Sequence, residues 1–548
     1  MNQELLVYYS IAIPSVESLH LGRASASGPT GVDDPEALFI PLSPTQTPPP
    51  LSPSPAIILS PEQQKVLTKV ERGENVFFTG SAGTGKSVLL REIIRVRGGR
   101  GNVRLAITAS TGIAGVNISG TTIHSWAGIG LGQEDAKKLA GKFLGQPKFE
   151  RVRDRWRDVK TLIIDEISMI DGVLFDKLEY IARILRNDDS PFGGIQLVIS
   201  GDFCQLPPVP DRDKNGVTVP ALFAFEATSW KRCIPRPMVL TKVFRQKEQA
   251  FVDMLNLLRW GNLDNEVIRT FKSLARPVHY TDGIGPTELY PTRAEVERAN
   301  TWKLDALDGA GSRYDATDTP GIDSYGERVT IMQMERLLDR LVAPRSVLLK
   351  VGAQVMLIKN LVQGHLVNGS VGQVVGFSTP QEASRNSTDI GTEEGMKGNK
   401  AEAMTRYSDA KWPVVRFTNG RELLCVPADF TVNNAIGEME ARRRQVPLIL
   451  AWALSVHKSQ GQTLERVKVD LARTFEKGQA YVALSRATSL DTLEVYSFHP
   501  SKIMVHPRVL DWHEDIEREE IMTGVHDSDE DCSDEMDMDQ AMEVYWSQ

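Results

Sequence analysis

The stretch Val76-Phe77-Phe78-Thr79-Gly80-Ser81-Ala82-Gly83-Thr84-Gly85-Lys86-Ser87-Val88-Leu89-Leu90 decides the fold. Val76-Phe77-Phe78 is a short apolar run that suits a buried strand. Gly80 to Ser87 fits G-x-x-x-x-G-K-[ST]. Val88, Leu89, Leu90, Ile93 and Ile94 follow at helical spacing. Strand, glycine-rich loop and helix in that order predict a phosphate-binding loop. Its glycines let backbone N–H groups converge on phosphate oxygens, and the helix N-terminus adds partial positive charge. Lys86 is expected to reach the β- and γ-phosphates, and Ser87 to bind Mg²⁺. Gly80, Ser81, Ala82, Gly83, Thr84 and Gly85 are the expected cradle. A phosphate loop alone does not separate a motor from a kinase or a switch.

Three further stretches narrow the choice. Thr161-Leu162-Ile163-Ile164 delivers Asp165 and Glu166 at a strand end. The first carboxylate suits Mg²⁺, usually through water, and the second suits polarising an attacking water, which favours hydrolysis over a pure switch. Ile195 to Asp202 is another buried strand, and Gln205 just beyond it is placed to sense a γ-phosphate. Val239 to Gln246 carries Arg245 at the expected start of a second α/β block. An arginine from a neighbouring domain can stabilise charge on a transferring phosphoryl group. Upstream, Ser60 and Pro61 open a short helix. Gln63 in that helix can read an adenine edge, with an ordinary surface glutamine as the alternative.

Val103–Thr108 reads as a second strand, followed by the small and hydroxyl residues of 109–126. His124 and Trp126 there suit sugar or base contacts, or simply the core. Residues 128–158 are a charged helical insertion, equally readable as a solvated face or a nucleic-acid surface. Val351–Ile358 reads as a strand and Val367–Phe377 as a hairpin pair. Residues 378–410 read as a loop, and 365–450 together as a small β-barrel. Ala480–Thr488 reads as a helix that sets Arg486 beside a sheet.

At 548 residues the chain has room for several domains. No apolar run approaches a membrane span. Cys204, Cys233, Cys425 and Cys532 are scattered without a C-x-x-C pair, which argues against zinc and a disulfide framework. The net charge of −8 divides into −14 over 511–548, −4 over 1–55 and +10 over 56–510. A basic body with acidic ends is compatible with a nucleic-acid partner. The Pro/Ser-rich segment 1–55 and the acidic tail are expected to be disordered. Arg23 is the only basic residue of 1–55, so no import presequence is evident.

As a set, GSAGTGKS, ASTGIAGVNISGTTIHSWAGIGLG, LIIDEISMI, GGIQLVISGDFCQLPPV, LTKVFRQ, LSVHKSQGQTLERV and AYVALSRATS resemble a superfamily-one helicase of the subgroup that includes RecD. More closely, they resemble the eukaryotic petite-integration-frequency DNA helicases of repair, recombination and telomere maintenance. The resemblance covers about 57–500. It implies an α/β fold of two RecA-like P-loop NTPase domains, over 56–235 (with a small wedge insertion at 128–158) and 236–364 continued at 449–510. It also implies an SH3-like barrel inserted at 365–448. It implies ATP and Mg²⁺ as cofactors, and 5'-to-3' translocation on single-stranded DNA up to single/double-strand junctions. Gln63 would contact adenine. Lys86, Ser87, Asp165, Glu166, Gln205, Arg245 and Arg486 would form the ATP site. Thr111, Gly112, His124, Asn368, His457, Lys458 and Ser459 would line the DNA track. A monomer without membrane contact is expected, in the nucleus and, by family resemblance, the mitochondrion. A DNA-stimulated ATPase that remodels protein–DNA complexes and the helicase part of a rolling-circle transposon share these motifs.

Overall fold

A computed structural model describes residues 58–523, apart from 100–101, 213–217, 324–325, 340, 362–365, 367, 392–403, 435–437 and 475. The disorder expected of 1–55 and of 524–548 lies outside the described residues.

The phosphate-loop strand Val76–Gly80 is near the edge of a six-stranded parallel sheet. Its order is Thr121–Thr122, Leu105–Ala109, Thr161–Asp165, Gln196–Ser200, Val76–Gly80 and Met238–Leu240. The strands read as unbroken apolar runs because both sheet faces are covered. Phe77, Leu162, Ile164, Leu197 and Ile199 point into one core, and Val76, Phe78, Ile163 and Val198 into the other. Gly80 and Asp165 therefore both end at the carboxyl edge, with Gln196–Ser200 between their strands, where ligands bind in such sheets.

A second parallel sheet has the order Ala453–Ser455, Thr287–Tyr290, Val467–Asp470 and Leu493–Tyr496. Between its first two strands in sequence lies a six-stranded, mostly antiparallel sheet with its own core, including Val355, Val374, Val415 and Leu423. A three-stranded sheet, Thr317–Pro320, Met439–Gln445 and Ala428–Asn433, flanks it.

The structure corrects five expectations. Met238–Leu240 pairs in parallel with Val76–Gly80, so the first sheet extends past the expected boundary at 235. Gln354–Leu357 pairs with Val371–Ser378, and Leu448–Leu450 pairs with Gln354–Leu357. The inserted sheet is therefore wider than 365–448, and Val371–Ser378 is a single strand where a hairpin pair is expected. The expected loop 378–410 contains helix Pro380–Arg385 and strand Asp389–Gly391. The charged segment 128–158 is helical as expected, in Ala136–Gly145 and Glu150–Asp158, and Leu139, Phe143, Val152 and Trp156 on these helices are buried in the first core. Finally, Pro507–Thr523 is a helix, not tail, and its Val509 is buried in that same core.

Candidate nucleotide site and nucleic-acid track

The glycine loop adopts the backbone that its composition requires. Gly83 and Gly85 have φ of +92° and +78°, in the left-handed region. A Cβ on Gly83 would lie 2.8 Å from Arg245 Cβ, and one on Gly85 2.7 Å from Gln63 Nε2. Helix Lys86–Val96 starts directly after, burying Leu89, Leu90, Ile93 and Ile94. A cleft of about 300 Å³ opens over the loop, lined by Gly83, Lys86, Ser87, Glu166, Gln205, Phe244, Arg245 and Arg486 among others. Six predicted catalytic residues thus converge: Lys86, Glu166, Gln205, Arg245 and Arg486 in the cleft wall, and Asp165 buried beside Glu166.

Lys86 Nζ donates to the carbonyls of Gly80 at 2.8 Å and Ser81 at 3.0 Å. Burial pushes its ammonium below the usual lysine range, against the fields of Asp202 and Glu166. Asp165 ends its strand, accepts the Ser200 hydroxyl and takes the Glu166 N–H at 2.9 Å. Burial holds its carboxyl above the ordinary value. Glu166 leaves the strand with φ +54°, ψ +51°, a conformation rare for a non-glycine residue. That turn breaks the strand alternation that would point the two carboxylates apart. Burial and then Asp165 push the Glu166 carboxyl up to about 7. Ser87 and Asp165 offer hard oxygen donors, the chemistry that suits a Mg²⁺ ion keeping several waters.

The second sheet supplies the opposite wall. Gln460 Nε2 donates to Glu166 Oε2 at 3.0 Å. Tyr481, buried in helix Gln479–Leu484, accepts the Ala82 N–H of the glycine loop at 2.8 Å. Arg486 is 1% exposed and donates to the carbonyls of Val482 at 2.8 Å and of Ser459 and Gln462 at 3.4 Å. Arg245 donates to Thr463 Oγ1 and the Ser485 carbonyl, each at 2.9 Å. Burial and the nearby Arg486 bring its guanidinium down to about 9. Its backbone, however, lies against the first sheet. Phe244 N donates to the Gly83 carbonyl at 2.8 Å and Thr241 N to Glu62 Oε2 at 3.0 Å. Arg245 therefore bridges the two blocks rather than belonging to the second.

Gln63 is 3% exposed, and its amide is already engaged. Oε1 accepts the Ser60 N–H at 3.0 Å in a capping box, and Nε2 donates to the Thr84 carbonyl at 3.2 Å. It buttresses the glycine loop.

The predicted track residues divide. Thr111 caps helix Gly112–Asn117 by accepting the Ala114 N–H at 3.2 Å. Asn117 at that helix end accepts from Asn368 Nδ2 at 3.3 Å, joining the first block to the inserted sheet. A second cleft of about 410 Å³ adjoins there, sharing Ser87, Arg91, Gly461 and Thr463 with the nucleotide cleft. His124 lies on helix Ile123–Ala127, packed beside Gly132. His457 sits 3.5 Å from Glu476, and burial and then Arg293 lower the Lys458 ammonium. Ser459 is a correction. It has no exposed surface, and its hydroxyl donates to the Val456 carbonyl at 2.8 Å, so its side chain faces the protein.

Sequence reasoning missed Asp202, Arg259, Gln460, Tyr481 and Phe244. Asp202 has no exposed surface and pairs with Arg259 at 2.9 Å, and it also accepts from Gln205 Nε2 at 3.2 Å. Burial alone would raise its carboxyl, but Arg259 and Lys86 hold it below the ordinary range. The signal for Asp202 was its place at a strand end beside Gln205. Arg259, in helix Gln249–Trp260, gave none. Phe244 is 51% exposed and lines the cleft beside Gly85.

Residues 58–269 match the PIF1-like helicase model, and residues 334–377 match the DNA helicase Pif1 2B domain. The chain is 48% identical over 479 residues to the ATP-dependent DNA helicase PIF1 of Emericella nidulans, covering 83% of this chain and 62% of that protein. It is 41% identical over 512 residues to the ATP-dependent DNA helicase RRM3 of Saccharomyces cerevisiae, covering 85% and 69%. The chain thus spans about three fifths to two thirds of the length of these relatives. The crystal structure of Pif1 helicase from Candida albicans superposes with a TM-score of 0.64 at 44% identity, over 84% of this chain and all of that one. Pif1 helicase from Bacteroides in complex with ADP-AlF3 and ssDNA gives 0.51 at 26% identity, over 85% and 98%. With its nucleotide-site residues gathered in one cleft and identities of this size over most of its length, the chain belongs to the Pif1-like helicase family.

Proposed function

We propose that the chain is an ATP-driven DNA helicase that moves 5'-to-3' along single-stranded DNA and opens duplex or structured DNA in genome maintenance. One observation carries this reading. The walls of the nucleotide cleft come from two separate parallel sheets, and Gln460 of the second is hydrogen-bonded to Glu166 of the first. A site assembled across two blocks makes turnover depend on their relative position, which is what a translocating motor needs. Lys86 and the glycine loop hold the phosphates. Ser87 and Asp165 are the oxygen donors for Mg²⁺, which would neutralise phosphate charge when bound. Glu166 polarises the attacking water, and Gln205, Arg245 and Arg486 face the γ-phosphate. Phe244 offers a ring face to the base, with Gln63 behind the loop. Thr111, Gly112, His124, Asn368, His457 and Lys458 form the DNA track, which grips backbone and stacked bases without sequence preference. That one chain supplies both walls supports a monomer as the working unit.

A strand-displacement assay on duplexes with 5' or 3' single-stranded tails tests the proposal. ATP-dependent release from the 5'-tailed substrate alone is expected, with ATP turnover rising strongly on addition of oligonucleotide. Turnover indifferent to DNA would overturn the motor reading. Release from the 3'-tailed substrate would overturn the polarity. Higher salt should weaken the DNA effect, because phosphate contacts release counterions.

A further inference from the structure

We propose that the C-terminal helix Pro507–Thr523 is a strap across the junction of the two blocks, and that Trp512 on it is a positioning residue for the Gln205 turn. This inference rests on the proposed ATP-driven function. The helix follows the last strand of the second sheet, Leu493–Tyr496, yet its inner face is buried in the first block. Trp512 stacks on Phe225 with ring centroids 4.7 Å apart and 13° between planes. It meets Phe203 edge-on at 5.1 Å and Phe77, in the phosphate-loop strand, at 6.4 Å. Phe203 is the residue after Asp202 and two before Gln205.

The next residue on the strap meets the end of helix Gln249–Trp260, whose Phe251, Leu255 and Leu258 lie in the second core while Trp260 itself packs against the first. His513 stacks on Trp260 at 4.1 Å and 13°. Trp260 follows Arg259, whose guanidinium pairs with Asp202 at 2.9 Å. Two consecutive strap residues therefore support the two sides of one buried ion pair. Asp202 in turn fixes Gln205, through the amide at 3.2 Å and through the Gln205 N–H on the Asp202 carbonyl at 2.9 Å. The lead-in to the strap closes the other side of this turn. The Met504 carbonyl accepts the Gly478 N–H at 2.8 Å, and a Cβ on Gly478 would lie 2.3 Å from the Gln205 carbonyl. The strap is itself held at its start, where Arg508 donates to Glu226 at 2.7 and 2.9 Å and to the Ala221 carbonyl at 3.0 Å.

Removing the Trp512 ring takes away one of the five rings packed around Phe203, the others being Phe77, Phe223, Phe225 and Trp230, and opens space into which the turn beside it can shift. A displacement near 1 Å of a group that must meet the transferring phosphoryl costs up to about 100-fold in rate, while groups that bind the rest of the nucleotide stay in place. The effect should therefore fall on kcat and spare KM.

The test uses the full chain with Trp512→Ala, Trp512→Phe and His513→Ala, the last of which leaves the core filled. Steady-state ATP turnover is measured with and without a single-stranded oligonucleotide. A fluorescent nucleotide counts binding-competent sites, so that unfolded protein is discounted. Per competent site, Trp512→Ala should lower kcat at least about tenfold with KM for ATP within about twofold. Trp512→Phe should recover to within about twofold, and His513→Ala should lie between. An unchanged kcat per competent site in Trp512→Ala would overturn the inference. So would a loss wholly accounted for by missing sites, or one that appears in KM instead. The wild-type response to oligonucleotide, read in the same experiment, tests the motor reading separately.

Discussion

Arg259→Leu removes the principal partner of Asp202, a carboxylate with no exposed surface. What remains to it is the Gln205 amide at 3.2 Å, the Cys204 N–H at 3.2 Å and the field of Lys86. Breaking a buried pair from one side typically costs about 3–5 kcal/mol, because the surviving charge stays desolvated. For a block of roughly 150–250 residues each kcal/mol lowers the melting temperature by about 2–4 °C, so a fall of roughly 6–20 °C is expected. Differential scanning calorimetry should show it in the transition of the first block. The double variant Asp202→Leu/Arg259→Met removes both charges and should lie within about 2 kcal/mol of the parent, the residual being the lost hydrogen bonds of Asp202. The pair also sets a pH dependence. Asp202 titrates below its unfolded value near 3.9, so its stabilisation is present above that pH and lost as pH falls through the native value. In Arg259→Leu burial dominates and raises the carboxyl, so the sign reverses: protonation relieves the unpaired buried charge, and the deficit against the parent is largest at neutral pH and narrows as pH falls through the raised value. Single variants within about 1 kcal/mol of the parent, or a double variant equal to the sum of the singles, would refute the reasoning.

Three further outcomes follow from the site. Lys86→Ala should lose nucleotide affinity and turnover together, as judged by fluorescent-nucleotide titration and phosphate release. Glu166→Gln should bind nucleotide as the parent does, while turnover falls about 10²–10⁴-fold because the water-polarising carboxylate is gone. Truncation after Thr523 removes the acidic end yet keeps the strap. If that end competes for the DNA track, the truncated protein binds single-stranded oligonucleotide more tightly at low salt, and the gap closes as salt screens both contacts; equal affinity at low salt would leave it no such role.

The parts of this molecule that repeat a local rule could be read from the sequence. The glycine loop was legible because strand, turn and helix follow one another without interruption. Asp165 and Glu166 were legible because an apolar strand delivers them. Met238–Leu240 was not, since three residues carry no periodicity and its pairing with Val76–Gly80 depends on a chain segment far upstream. Helix Pro507–Thr523 was hidden by its charge, as its few core-facing residues are spread among acidic ones. Asp202–Arg259 and Glu166–Gln460 join positions 57 and 294 residues apart, and no local pattern encodes such partners. Ser459 failed for a different reason. A motif fixes which residue stands at a position, whereas the turn of a four-residue helix, Val456–Ser459, decides which way its side chain points.

The segment from Met238 to Gln246 has one more consequence. It is zipped to the phosphate-loop strand through Leu240, tied to Glu62 at Thr241 and tied to Gly83 at Phe244 before it departs for the second sheet. The Arg245 backbone is therefore fixed to the glycine loop, while its guanidinium is held by Thr463 and Ser485 of the opposite wall, on which Arg486 lies. Under the proposed function, parting of the blocks would break the two Arg245 contacts and carry Arg486 away from Lys86, so of the two arginines only Arg486 would report how far the vice formed by the two walls has been wound.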